Sequence, residues 1–310
     1  MGIVSRLKHR FPTSHAENCI VVTSNCQTHG IALSLNLMLP SFEAIPVWSL
    51  SGLDFVIEQI NSKVKRDFIW VTTLVPEQQK KVLQDTNVYP SKVIQIPEIF
   101  FDAFHPDMTY VQLVNGELLE SALGHYHSKI SLWAFLNKIE LSDTLNLFSK
   151  HTYESLGYFR KHSDSIQALR NSIITVGLDV SLFDEIIYHG ESFMHTFNHP
   201  KLKVLSAVAQ SVCLQLGIIP KINHSEIPLV ARDVLFESGP IYPIYPEIAD
   251  FFGVDGTYSS RRQDGRVLSL KEFTEESFEI YSRIPKDQFN QESLFTEFFR
   301  RQMKDLVQKS

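Results

Sequence analysis

Apolar residues in the first hundred positions alternate between two patterns. Short β-branched runs predict buried strands at Cys19 to Thr23, Ala44 to Trp48, Asp67 to Thr73 and Lys92 to Ile96. Between them lie helical spacings. Ile31, Leu35 and Met38 mark a helix over Thr28 to Met38 that Pro40 stops, Leu53 to Ile60 marks a second, and Pro76 opens a third that runs to about Leu83. Strands alternating with helices predict an α/β fold with a parallel sheet flanked by helices.

The pattern then changes. Ser128 to Ile139, Tyr153 to Ile174, Ser181 to Tyr188 and Pro200 to Leu216 all have helical periodicity, the last with Leu205, Val208, Ala209, Val212 and Leu216 in one stripe. Residues 236–269 hold four glycines and three prolines and predict loops, and Glu292 to Val307 predicts an amphipathic terminal helix. The expected organisation is one α/β domain over residues 1–310. Residues 1–18 form a basic tail, and 120–310 a helical, loop-rich elaboration.

Composition narrows the class. The chain has 310 residues, 44% hydrophobic and 21% charged, enough for a substantial core. A net charge of -6 argues against nucleic acid or an anionic membrane as partner. No apolar run reaches the length of roughly 18 residues that a membrane span needs, and Arg6, Lys8 and Arg10 precede no apolar core of a secretory signal. Cys19, Cys26 and Cys213 are few and odd in number, with no paired spacing. A soluble cytoplasmic protein without a disulfide framework or a metal site is expected. The sequence leaves the oligomeric state open.

The candidate chemistry starts after the first strand. Ligands of open parallel sheets gather at the carboxyl ends of strands, and Ser24-Asn25-Cys26-Gln27 occupies such a position at the start of a helix. A helix N-terminus favours a thiolate and an oxyanion alike. Cys26 would then alkylate ahead of Cys19 and Cys213, with Asn25 and Gln27 as flanking amide donors and His29 one turn along. A cysteine at a strand end is equally a small buried hydrophobe. His199 precedes Pro200, which suits a first helical position and makes His199 a near-cap held neutral, as a general base requires. His105 and Asp107 follow the fourth strand in a Pro-Asp turn. Arg261 and Arg262 belong to a basic loop that either is solvated or holds phosphate. No Gly-x-Gly-x-x-Gly, Walker loop or His-Glu-x-x-His spacing is present.

Four segments in order carry a resemblance. Ser24-Asn25-Cys26-Gln27, Phe104-His105-Pro106-Asp107, Phe197-Asn198-His199-Pro200 and Pro243-Ile244-Tyr245-Pro246 resemble recurring segments of the WcbI-type polysaccharide biosynthesis acetyltransferases, with Ser24 where that family usually has glycine. The resemblance implies an SGNH-hydrolase-like, flavodoxin-like sheet with Cys26 in the nucleophile position. It implies a coenzyme A thioester as acyl donor and a carbohydrate acceptor from a capsule or other surface polysaccharide. Under it Cys26 forms an acyl-enzyme and His199 activates the sugar hydroxyl, or a histidine drives direct attack while the Asn25–Cys26 turn holds the oxyanion. His29 is the alternative partner of Cys26, and His105 and Asp107 bind substrate or orient the base. An esterase or deacetylase, with water as acceptor, and a non-catalytic binding module are the rival readings.

Overall fold

The computed structural model describes residues 18–65, 67–86 and 88–309. The basic tail expected at the N-terminus lies outside the described residues, apart from Asn18. The rest forms two compact units: residues up to Glu98 with Ser206–Val230, and Ile99–Leu205 with Ala231 onward.

The first unit is the α/β half. Strands β1 (Asn18–Ser24), β2 (Phe42–Trp48), β3 (Phe68–Thr72) and β4 (Pro90–Gln95) alternate with helices α1 (Thr28–Met38), α2 (Leu53–Lys63) and α3 (Pro76–Asp85). All pairings are parallel, in the order β2-β1-β3-β4. These are the first four strands of the flavodoxin-like order, and the chain reverses its direction of travel across the sheet beside β1. β1 is central and its residues from Cys19 to Ser24 are buried. Alternation sends Cys19 and Val21 to one face, where they pack with Val56, Ile60, Phe68, Trp70 and Val82. Each such side chain contributes about 1.5–3 kcal/mol on burial. The Trp70 indole N–H is satisfied inside this core by Thr23 Oγ1 at 2.9 Å. Pro46 is tolerated within β2 because β2 is an edge strand.

The second unit is mainly helical. Ser128 caps helix α4 (Lys129–Leu136), as its sequence suggests, by accepting the Ser131 N–H at 3.0 Å. The single helix expected over Tyr153 to Ile174 is broken into Lys150–Ser155, a 3-10 turn and Lys161–Thr175. Gly157, at φ 72°, turns the chain left-handed where a residue with a side chain would be strained. The loop-rich stretch holds two short helices, Val234–Ser238 and Pro246–Phe252, and a small antiparallel ribbon. It is followed by a helix that sequence periodicity missed, Leu270–Ser282. Its signal was the capping box of Ser269 and Glu272. The terminal helix begins later than expected, at Glu297, after a separate turn at Gln291–Leu294. Among the described residues no helix is long and apolar enough to cross a membrane.

Candidate active site

The turn after β1 is built by Asn25. Its backbone carbonyl accepts from Thr28 N–H at 3.2 Å and Thr28 Oγ1 at 2.7 Å. Its side-chain oxygen accepts from Gln27 N–H at 3.0 Å and from the Cys26 thiol at 3.7 Å. Two of the amide donors that the helix start offers are therefore consumed by Asn25 itself. The Asn25 side-chain nitrogen donates to Glu98 Oε1. A primary amide carries two N–H donors, and the second has no partner among the described residues. Asn25 is thus an amide clamped by a carboxylate, with one N–H unpaired among the described residues.

Glu98 was invisible to sequence reasoning. It stands 73 residues from Asn25, and only the placement of β4 beside β3, and β3 beside β1, brings it to the turn. Burial, with the Glu98 charge adding to it, reverses the expected acidity of Cys26. The thiol is half-buried, and burial, then the Glu98 charge, push its pKa up to about 12. The helix start was expected to stabilise a thiolate, but the desolvated, carboxylate-flanked position favours the neutral thiol.

This gives a direct prediction. Iodoacetamide labelling of Cys26 should be slow near pH 7 and should rise about tenfold per pH unit to pH 10 without a plateau, since only the thiolate reacts. Glu98→Gln removes the opposing charge and should speed labelling at every pH in that range. A plateau below pH 9 would contradict the assignment. Cys213 is fully buried with its pKa pushed up to about 11 by burial, and Cys19 is equally enclosed. Any lead of Cys26 in labelling therefore comes from access rather than acidity.

His29 lies on α1 one turn past the cysteine. Its Nδ1 accepts the Trp48 indole N–H at 2.6 Å, so the neutral ring carries its proton on Nε2. In this tautomer Nε2–H is the donor, and the Nδ1 lone pair is engaged by Trp48.

The remaining sequence candidates belong to the second unit. His199 does not cap the long helix. It lies with Pro200 in a short strand paired with Met194–Thr196, and the helix starts at Leu202, capped by Asp233 Oδ2 at 2.8 Å. Its neutrality has a different cause from the one expected: burial lowers its pKa to about 4, assisted by His195. Nε2 is 3.3 Å from the Tyr126 hydroxyl, and the buried Nδ1 has no hydrogen-bond partner among the described residues.

His105 is buried against Tyr242, its pKa lowered by burial to about 3. Asp107 is wholly enclosed. Its carboxylate accepts from Ile130 N–H at 3.0 Å, Tyr158 O–H at 3.1 Å and Tyr245 O–H at 2.8 Å. Tyr245 comes from the Pro243–Pro246 segment, so two of the recurring segments meet in one buried network. Asp107 is held as an internal tie rather than presented to a ligand.

Arg261 lies 4.2 Å over the Phe236 ring and donates to the carbonyl oxygens of Phe236 and Gly239. Arg262 pairs with Glu276 at 3.0 Å and Asp264 at 3.6 Å. A phosphate at this loop would have to displace those partners. No three His, Cys, Asp or Glu side chains converge as ligands for a metal ion among the described residues.

The family profile described as polysaccharide biosynthesis enzyme WcbI matches residues 19–221. The chain belongs to this family. The WcbI match covers the Cys26 turn, His105, Asp107 and His199, whereas Arg261, Arg262 and the Pro243–Pro246 segment lie beyond it. No curated protein and no solved structure matches the chain. Membership in the WcbI family makes the chain a polysaccharide biosynthesis enzyme.

Proposed function

We propose that this enzyme transfers an acyl group from a coenzyme A thioester to a sugar hydroxyl of a surface polysaccharide, with the Cys26 turn as the reacting centre. The observation that carries the reading is the pairing of a thiol with the clamped Asn25 amide, where the strand order reverses. A nucleophile beside a fixed donor is what attack on an acyl carbonyl requires. Cys26 sulfur attacks the thioester carbonyl and gives up its proton, Asn25 N–H binds the developing oxyanion, and the coenzyme A sulfur departs as a thiol by taking up that proton as its bond to the carbonyl carbon breaks. The resulting acyl-cysteine is neutral, so the carboxylate that penalises the thiolate does not penalise it. The sugar hydroxyl then attacks the acyl-cysteine, and the thiol is restored.

The test is incubation with acetyl-coenzyme A, with and without sugar acceptors, while thiol release is followed. Release is expected to depend on the sugar. Asn25→Ala should lower turnover roughly 10²–10³-fold, the usual cost of an oxyanion donor, and Cys26→Ala at least as much. Thiol release into water alone would replace the transferase with a hydrolase. Full turnover in Cys26→Ala would remove the acyl-enzyme route.

A further inference from the structure

The second unit holds a cavity of about 460 Å³ whose wall includes His195, Asp233, Lys201, Ser192, Asp255 and Phe236. Its size falls within the roughly 300–1,000 Å³ usual for small-ligand pockets. Pro243 and Ile244 of the fourth recurring segment line it, but Cys26, His29, His105, Asp107, His199, Arg261 and Arg262 do not.

His195 is buried, and its Nε2 is 2.9 Å from Asp233 Oδ2. Burial works to raise the Asp233 pKa, but the hydrogen bonds it accepts from His195 and from the backbone N–H groups of Leu202 and Phe236 hold it below the ordinary carboxylate value. Asp233 Oδ2 also accepts the Leu202 N–H, so Nε2 is the donor of the His195–Asp233 pair and is the protonated nitrogen of the ring's neutral tautomer. Nδ1 is left as an acceptor with no hydrogen-bond partner among the described residues. The carboxylate is itself fixed, because it also accepts the backbone N–H groups of Leu202, Leu235 and Phe236. Lys201 adds the opposite polarity: its ammonium donates to Ser192 Oγ at 2.6 Å, and no carboxylate pairs with it within 4.0 Å among the described residues.

We propose that this cavity is a carbohydrate-binding site in which a sugar hydroxyl donates to His195 Nδ1 and a neighbouring oxygen accepts from Lys201. The inference rests on the polysaccharide reading for its ligand class and on the cavity alone for its location. Hydroxyls are donors and acceptors at once, which suits a wall that mixes an imidazole lone pair, an ammonium, a serine and a free carboxylate. A phosphate dianion fits less well, since Asp233 and Asp255 both face the same space. Phe236, partly exposed, offers an apolar edge to the C–H groups of a sugar ring.

Saturation-transfer NMR on the full chain, without acyl donor, provides the test. The probes are methyl glycosides of glucose, galactose, mannose and N-acetylglucosamine, with inorganic phosphate as competitor. Transfer to at least one glycoside is expected, with little competition from phosphate. Asp255→Asn, at an exposed position, and Lys201→Met should each weaken the signal at least threefold while the melting temperature stays unchanged. Cys26→Ala should bind normally, so loss of acyl transfer in that variant and loss of binding in the cavity variants are read separately. Absence of transfer to every glycoside, unchanged transfer in both cavity variants, or displacement by millimolar phosphate would overturn the proposal.

Discussion

Folding stability should fall by several kcal/mol as the pH is lowered from about 6.5 to 4. Three imidazoles are kept neutral by burial, with pKa values lowered to about 3 for His105 and about 4 for His127 and His199. The ordinary value is 6.5, so below that pH the unfolded chain binds protons that the folded chain refuses. Stability therefore decreases as pH falls, and the penalty is complete only below the folded values. One pKa unit corresponds to about 1.4 kcal/mol, and a typical domain holds only about 5–15 kcal/mol in total. His127 shows why the ring resists its proton. Nε2–H donates to the Leu119 carbonyl at 3.0 Å, and Nδ1 accepts the Tyr281 hydroxyl at 2.9 Å. A second ring proton would face that hydroxyl's own. Asp102 and Asp233 have lowered carboxyl pKa values despite burial, which opposes the shift. Their contribution is lost only at still lower pH, below the unfolded value of 3.8. Urea midpoints measured from pH 8 to pH 4.5 separate the two effects. His127→Gln, which can still donate and accept, should flatten the slope below pH 6.5. A midpoint constant down to pH 5 would refute neutral burial of these rings.

The α/β half was legible because its signals are local. The helix Thr28–Met38 is found with the bounds its spacing predicts, and each strand lies within two residues of its apolar run. The helical half was less legible for two reasons. Gly157 breaks a periodicity that otherwise continues unbroken, and a single glycine does not announce whether it ends a helix. Leu270–Ser282 buries Phe273, Thr274, Ser277 and Tyr281, a stripe in which three of four side chains carry a hydroxyl, so it carries little hydrophobic signal.

The site divides in the same way. Asn25 and Cys26 follow from being next to the end of a strand. Glu98, which sets the charge around them, depends on sheet order. Asp233 stands 38 residues from His195 and 31 from Leu202, and caps the long helix in place of the neighbour that sequence proximity suggested. Short motifs point to positions; the acidity and tautomer at those positions come from partners that only folding supplies.

Asp107→Ala should destabilise the protein by at least about 3 kcal/mol, because three buried donors lose their acceptor and each unpaired group costs roughly 1–3 kcal/mol. The donors are the Tyr158 and Tyr245 hydroxyls and the Ile130 N–H, all in space without solvent exposure at the carboxylate. The last of these also fixes the first turn of α4. Tyr245→Phe removes one donor and keeps the rest, so it should cost about 1.5–3 kcal/mol, the net value of one hydrogen bond to a charged group. Asp107→Asn is the discriminating variant. Its amide keeps one acceptor oxygen but turns an N–H₂ toward a hydroxyl, so it should fall between the other two in a urea titration. If Asp107 bound substrate instead, the asparagine variant would unfold like the parent protein and lose turnover. A tie of tyrosines around a carboxylate predicts the reverse: a lowered midpoint, with turnover retained wherever the variant remains folded.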